Sequence, residues 1–274
     1  MNLTAAIAYA ARHKPHALLV AQDGEVLHES YGAEHGAQTP HALYSGTKSF
    51  WGVLAVAAQE DGVLNLEERV AETIPAWGED AAKRLVSLKQ LLQLTSGIGF
   101  GGLGSAVPGY EKALATPLQH TPGSTFTYGG VPLQVFGAVL ARKLASRDET
   151  PHRYLAHRIL EPAGVRVASW RVLKDGTQPL PTGAFLSAHA WQSYGEFVRN
   201  NAREYAACFA GSNANPRYGL GWWLAPPGTP EDLYYASGAG GQALYVAPSQ
   251  RVVVVRFGAS ASFKHDAFLK RLFS

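Results

Sequence analysis

The chain has 274 residues, of which 46% are apolar and 16% charged, and it carries a formal net charge of +3. That composition excludes a disordered chain and allows one large core or two closely packed ones. Basic pairs such as Arg142-Lys143 and Lys270-Arg271 are too scattered for a nucleic-acid-binding stripe, so no nucleic-acid partner is expected.

In chain order, residues 2–13 read as a first helix, ended near Pro15. His16–Gln22 is a strand, Asp23-Gly24 a hairpin turn, and Val26–Tyr31 the returning strand. A helix starts at Ser45 and ends at Gly62. Residues 63–160 read as helices and loops, with helices opening at Glu67, spanning Leu88–Leu94, and spanning Val131–Ala145 with Pro132 in the first turn. Glycines crowd residues 97–104, a flexible loop. The last third turns to strands at Gly219–Ala225, Leu233–Ser237, Gln242–Ala247 and Arg251–Phe257, with Pro248-Ser249-Gln250 closing a hairpin. Phe263–Phe273 is a closing helix. The pattern predicts an α/β body with an inserted helical region: a sheet domain of residues 1–44 and 165–274, a helical domain of 45–164, and an active site at their interface.

The N-terminus lacks a basic region ahead of an apolar run, and no segment is long enough to span a bilayer. A cytoplasmic protein with no membrane partner is expected, or an exported one that has lost its leader. The single Cys208 excludes an internal disulfide and reads as a hidden structural thiol.

The chemistry is concentrated in Tyr44-Ser45-Gly46-Thr47-Lys48. Residues i and i+3 share a helix face, so Lys48 lies beside Ser45. A neutral amine next to a hydroxyl activates a weak nucleophile for acyl transfer. The same spelling would serve a serine N-cap followed by a solvated lysine. The helix beyond it, Ser49–Ala58, is apolar nearly all round and should be buried. A lysine in its first turn then needs a partner, or its pKa falls.

Two further segments fit. Tyr128 ends a turn before the Val131 helix and could relay protons in a cleft; taken alone, it reads first as a packing tyrosine with a hydrogen-bonded hydroxyl. In Ala236-Ser237-Gly238-Ala239-Gly240-Gly241-Gln242, small residues at a strand end let a substrate or another backbone approach closely. The amides of Ser45 and Ala239 could form an oxyanion hole, with a tight glycine bend as the plain alternative.

This order of motifs resembles the serine β-lactamase and penicillin-binding-protein superfamily. The branch it resembles holds class C β-lactamases, family VIII carboxylesterases, D-aminopeptidases and 6-aminohexanoate-dimer hydrolases. Gln59–Leu66, Leu91–Gly97, Pro122–Tyr128, Tyr218–Trp222 and the final hairpin resemble that branch in sequence order. The resemblance implies an antiparallel sheet flanked by N- and C-terminal helices, with a helical insertion. It implies Ser45 as acylated nucleophile, Lys48 as base and Tyr128 as second proton-transfer group. It places Ser237, Gly238 and Gly130 against substrate. Two departures stand out. The family's Tyr-x-Asn is Tyr128-Gly129-Gly130 here, and its Lys-Thr-Gly strand is Ala236-Ser237-Gly238. Both losses weaken recognition of β-lactam or D-Ala-D-Ala groups and leave the acyl-transfer machinery in place.

Other chemistries lack their signatures. There is no Gly-x-Ser-x-Gly elbow, and the 97–104 glycines open no phosphate-binding helix. The ten histidines show no metal-ligand spacing, and His120, His152 and His157 read as surface residues, so no metal or cofactor is expected. The expected function is hydrolysis of small carboxylic esters through an acyl-enzyme. Amide hydrolysis on the same fold and a sensor that acylates without turnover are the alternatives.

Overall fold

The computed structural model describes residues 1–99 and 106–274. Helix α1 (Leu3–Ala11) leads into the hairpin β1 (Pro15–Gln22) and β2 (Glu25–Tyr31), then a short β3 (His41–Ala42). A 3-10 turn, Tyr44–Thr47, runs directly into α2 (Lys48–Glu60). The described residues up to β4 are then helical or irregular, with α3 (Val70–Thr73), α4 (Leu88–Leu92), α5 (Tyr110–Leu114), α6 (Val131–Leu144) and α7 (Pro151–Leu155). Strands β4 (Ser169–Trp170) and β5 (Ala184–Leu186) precede α8 (Ala188–Asn200). The chain closes with β6 (Trp223–Leu224), β7 (Tyr234–Gly238), β8 (Gln242–Ala247), β9 (Val252–Gly258) and α9 (His265–Leu272).

Six strands form one antiparallel sheet in the order β2-β1-β9-β8-β7-β6. Side chains alternate across a strand, so each strand feeds two cores. Leu18, Val20, Tyr245 and Val254 face α1 and α9. Leu19, Leu244, Val253 and Val255 face α8 and the helical region. With both faces covered, β9 has no solvent side to mark, which is why it reads Val252-Val253-Val254-Val255 without alternation. The fold is thus α/β, an antiparallel sheet flanked by the N- and C-terminal helices, with helices inserted between β3 and β4. A second, three-stranded sheet, β3-β5-β4, lies at the ends of that insertion.

The main departures from the sequence expectation are local. The expected strand Gly219–Ala225 is reduced to Trp223–Leu224. Leu220 and Gly221 leave the sheet and pack against α2, where Gly221 takes φ +84 and a Cβ would overlap the Lys48 carbonyl oxygen. Helix α8 lies where no helix was expected. Ser187 caps it by accepting from the Ala190 amide. The expected helix at Glu67 is the single turn α3. His152 is not a surface residue: its ring packs edge-on against Trp51 and Trp170, and burial pushes its pKa down to about 4. His120 and His157 are exposed. Of the expected glycine loop 97–104, only its first three residues lie inside the described part. Cys208 is a fully buried free thiol. Among the described residues, no helix is long and apolar enough to cross a membrane.

Candidate active site

Ser45 sits in the 3-10 turn, one step before the α-helix. A 3-10 helix has three residues per turn, so positions i and i+3 eclipse. Lys48, first residue of α2, is carried directly over Ser45, with Nζ 3.0 Å from Oγ. Ser45 caps nothing; the N-cap of α2 is Thr47, which makes no side-chain cap bond. The turn is fixed on its inner side. Leu43 is fully buried, Gly46 packs so tightly on Trp191 that a Cβ would stand 2.9 Å from its ring, and Ser49 Oγ donates to the Gly46 carbonyl. Just before Ser45, Tyr44 adopts φ +47, a left-handed conformation costing a bulky residue about 1–3 kcal/mol.

Lys48 is 3% exposed. Its amine donates to Ser45 Oγ and to the Pro181 carbonyl at 3.3 Å, and no carboxylate pairs with it among the described residues. Removed from water and unpaired with an anion, the ammonium is disfavoured, and the pKa falls to about 7. A large fraction of the amine is therefore neutral near pH 7 and free to accept a proton.

Tyr128 precedes α6. Its hydroxyl interacts with Ser45, which favours the phenolate, but burial dominates and holds the pKa above the usual phenol value. Lys48 meets this tyrosine through the ring, 4.8 Å from its centroid, rather than through a hydrogen bond to the hydroxyl. The ring stacks on Trp223, which in turn meets Tyr218 edge-on. Gly130 lies two residues on. It does not line the cavity beside Ser45; a Cβ there would press on Pro181, 3.1 Å from Cγ. The proline that supplies Lys48 with a carbonyl acceptor thus also closes the space beside Gly130.

Strand β7 brings the remaining groups. Tyr235 and Ser237 share the face that opens on the cavity, whereas Ala236 points into the main core. The register Ala236↔Leu244 and Ser237↔Ala243 fixes this assignment. Gly238 lies against the Leu43 carbonyl, where any Cβ would overlap the oxygen, so only glycine lets β7 reach the Ser45 turn. Ala239 opens the 3-10 turn Ala239–Gly241. Ser45 and Ala239 both occupy the first turn of a 3-10 helix, whose amide hydrogens have no acceptor within the helix. Both residues border the same cavity.

That cavity, of about 660 Å³, is lined by Ser45, Tyr128, Trp223, Tyr235, Ser237, Gly238, Ala239 and His265. Among the described residues, no lysine or arginine lines it. Lys264, Lys270 and Arg271 lie in a separate hollow beyond His265 and Tyr235, together with Asp266. His265 is a site residue that the sequence reading missed, because it begins α9 and carries no motif. Its Nε2 is 3.0 Å from Ser237 Oγ and its Nδ1 is 2.6 Å from the buried Tyr245 hydroxyl. Burial, with Arg256 adding, pushes its pKa down to about 4, so the ring is neutral. With the Tyr245 hydroxyl donating to Nδ1, Nε2–H donates to Ser237 and leaves the serine's own hydrogen for the cavity.

The chain belongs to the Beta-lactamase family, whose model matches residues 9–207. The match includes Ser45, Lys48 and Tyr128 and stops short of β7. Protein flp of Staphylococcus aureus is 24% identical over 173 residues, 56% of this chain and 34% of that protein. The chain therefore spans about a third of the length of that curated relative. Among solved structures, a penicillin-binding protein homologue from Caulobacter crescentus has a TM-score of 0.77 at 16% identity, covering 98% of this chain and 95% of its own. EstCE1, a hydrolase with promiscuous acyltransferase activity, has a TM-score of 0.75 at 18% identity, covering 97% and 94%. A β-lactamase from Mycobacterium bovis has a TM-score of 0.68 at 18% identity, covering 98% and 95%. At these identities the structural likeness shows the fold.

Proposed function

We propose that this protein hydrolyses small, uncharged carboxylic esters through an acyl-enzyme on Ser45. The observation that carries the reading is the buried Lys48 amine, with a pKa of about 7, 3.0 Å from the Ser45 hydroxyl. Neutral Lys48 takes the Ser45 proton as Oγ bonds to the ester carbonyl carbon. The negative charge moves to the carbonyl oxygen, where the amides of Ser45 and Ala239 receive it. Collapse breaks the bond to the alcohol oxygen, which leaves with a proton delivered by Tyr128; the Tyr128 hydroxyl and the Lys48 amine both meet the Ser45 oxygen, and the proton held by Lys48 crosses there to restore the phenol. A water then attacks the acyl carbon and gives its proton back along the same pair. The acid departs and Ser45 recovers its hydrogen.

The cavity supports an ester without a charge to pair. Its walls are the aromatic rings of Tyr128, Trp223 and Tyr235, a neutral imidazole and a serine hydroxyl. Ala236, at the position of the family's lysine, lies in the core. Intact-mass analysis after fluorophosphonate treatment tests the nucleophile. One adduct on Ser45 is expected, and Ser45→Ala should lower p-nitrophenyl ester hydrolysis by about 10³-fold or more. An adduct on another serine, with none on Ser45, removes this reading. Steady turnover beyond one equivalent of product separates the hydrolase from a sensor that acylates and stalls.

A further inference from the structure

Three histidines that share no sequence spacing come together on the far side of the Ser45 turn. His16 lies near the start of β1, His35 in the loop after β2, and His41 on β3. Gly32 lets that loop fold back. Its amide donates to the His16 carbonyl, and a Cβ there would stand 2.9 Å from the Pro15 carbonyl oxygen and 3.3 Å from His35 Cδ2. The ring centroids are 4.2 Å apart for His16 and His35, 5.1 Å for His35 and His41, and 5.8 Å for His16 and His41. One ring nitrogen from each lies within 4.8 Å of the other two.

Two of these rings hold nitrogens with nothing to bind. His41 is 93% buried, and its Nε2 has no hydrogen-bond partner; neither does the buried Nδ1 of His35. Buried ring nitrogens are normally satisfied, so both nitrogens stand available to a ligand. The His41 ring itself is held in place, stacked on Phe257 at 4.3 Å.

We propose that His16, His35 and His41 bind one late first-row divalent metal ion, of which Zn²⁺ is the type case. The donor set selects the class. Three imidazoles suit Zn²⁺, Cu²⁺, Ni²⁺ or Co²⁺, whereas Mg²⁺ and Ca²⁺ require oxygen ligands. Bonds of about 2.1 Å in a tetrahedral site put ligand nitrogens about 3.4 Å apart, so the cluster must contract by roughly an ångström on binding. His16 and His35 are half-buried strand-end and loop residues, while His41 is buried and stacked on Phe257. Metal requires neutral imidazole, and burial favours that form in His16 and His41. Arg256, whose charge also disfavours protonated His16, donates its guanidinium to the carbonyls of His13, Gly240 and Gly241. His16 and His41 also border a cavity of about 530 Å³, which they share with Tyr44, Ala239 and Gly240. The ion would clip the loop and β3 to β1 directly behind the two turns that carry Ser45 and Ala239.

The test uses tag-free, chelator-treated full-length protein titrated with Co²⁺, then Zn²⁺. The expected result is the visible absorption of one low-coordinate Co²⁺ per chain, displaced by one equivalent of Zn²⁺, with Zn²⁺ raising Tm and Mg²⁺ leaving it unchanged. His16→Ala and His35→Ala should each weaken binding by about tenfold or more, and His265→Gln should leave it intact. His41 is buried and its variants risk misfolding, so the two half-buried ligands carry the test. Absence of stoichiometric uptake overturns the proposal. So does uptake undiminished in the His16→Ala/His35→Ala double variant, or an equal response to Mg²⁺.

Discussion

Ser237 and His265 are 28 positions apart in the chain, yet Oγ and Nε2 stand 3.0 Å apart at the wall of the Ser45 cavity. The pair is anchored from behind by Tyr245, whose hydroxyl is 2.6 Å from Nδ1. This three-member chain sets a serine hydroxyl at the cavity wall, one residue along β7 from Ala236, whose side chain enters the core. A neutral donor recognises a neutral oxygen, and the rest of the cavity is consistent with that choice.

Ser237→Ala should therefore lower kcat/KM for p-nitrophenyl butyrate by about 3- to 10-fold, the worth of one uncharged hydrogen bond. His265→Gln, which can still reach Ser237, should lose less than His265→Ala. The loss should fall on KM more than on kcat, because the pair orients substrate and does not carry the proton. Unchanged kcat/KM in Ser237→Ala would show that the hydroxyl does not meet the substrate.

Lys48 sets the pH dependence. Only the neutral amine accepts the Ser45 proton, so kcat/KM should rise through about pH 7 and level off above it. The stability effect has a definite sign. The folded pKa is depressed from 10.5 to about 7, so burial of the ammonium costs most at and below pH 7, on the order of 3 to 5 kcal/mol. The cost shrinks as pH rises from 7 towards 10.5, where the unfolded lysine also loses its proton. Lys48→Met should accordingly be inactive yet more stable than the parent at pH 6, with the advantage narrowing by pH 9. Thermal unfolding at the two pH values checks this. A Lys48→Met protein no more stable at pH 6 than at pH 9, relative to parent, contradicts a buried amine of low pKa.

Part of this was legible in the sequence. Ser45 and Lys48 are a local pair, three residues apart, and local spacing is what a sequence displays. The strands Gln242–Ala247 and Arg251–Phe257 were readable because apolar runs between turn residues have few alternatives. Helix α8 was also written in the chain, with Ala188, Trp191, Tyr194, Gly195 and Val198 buried at helical spacing. No motif marks it, and the expected elements resume only at Gly219. His265 and Pro181 could not be found this way. Each reaches the site by a tertiary contact, Pro181 across 133 residues, and neither carries a motif. His16, His35 and His41 are likewise gathered by the loop that Gly32 closes, not by any spacing.

Substrate preference follows from the position of Ala236. Its side chain enters the core, and among the described residues no lysine or arginine lines the cavity to meet a carboxylate. Short neutral esters should exceed nitrocefin in kcat/KM by about 10²-fold or more, since a site without the polar partner gains nothing from the group it would pair. Equal or faster turnover of nitrocefin would replace the esterase reading with a β-lactamase one.

Tyr128 offers the sharpest division of roles, because Tyr128→Phe keeps the ring and deletes only the hydroxyl. The ring contacts with Trp223 and with the Lys48 amine survive that change. Folding and the low pKa of Lys48 should survive with them. The lost hydroxyl is the one that meets Ser45 and, in the proposed mechanism, carries the proton to the leaving alcohol. Tyr128→Phe should thus lower kcat by about 10²-fold or more, and Lys48→Ala by at least as much. The two act on one proton, so their effects should not add: the double variant should be little worse than the poorer single one. Leaving-group dependence tells acid catalysis from mere packing. If Tyr128 supplies the departing proton, Tyr128→Phe should suffer more with ethyl esters than with p-nitrophenyl esters, whose alcohol leaves without help. A uniform loss across both, or near-normal kcat, would reduce Tyr128 to a wall of the cavity and leave Lys48 as the sole proton carrier.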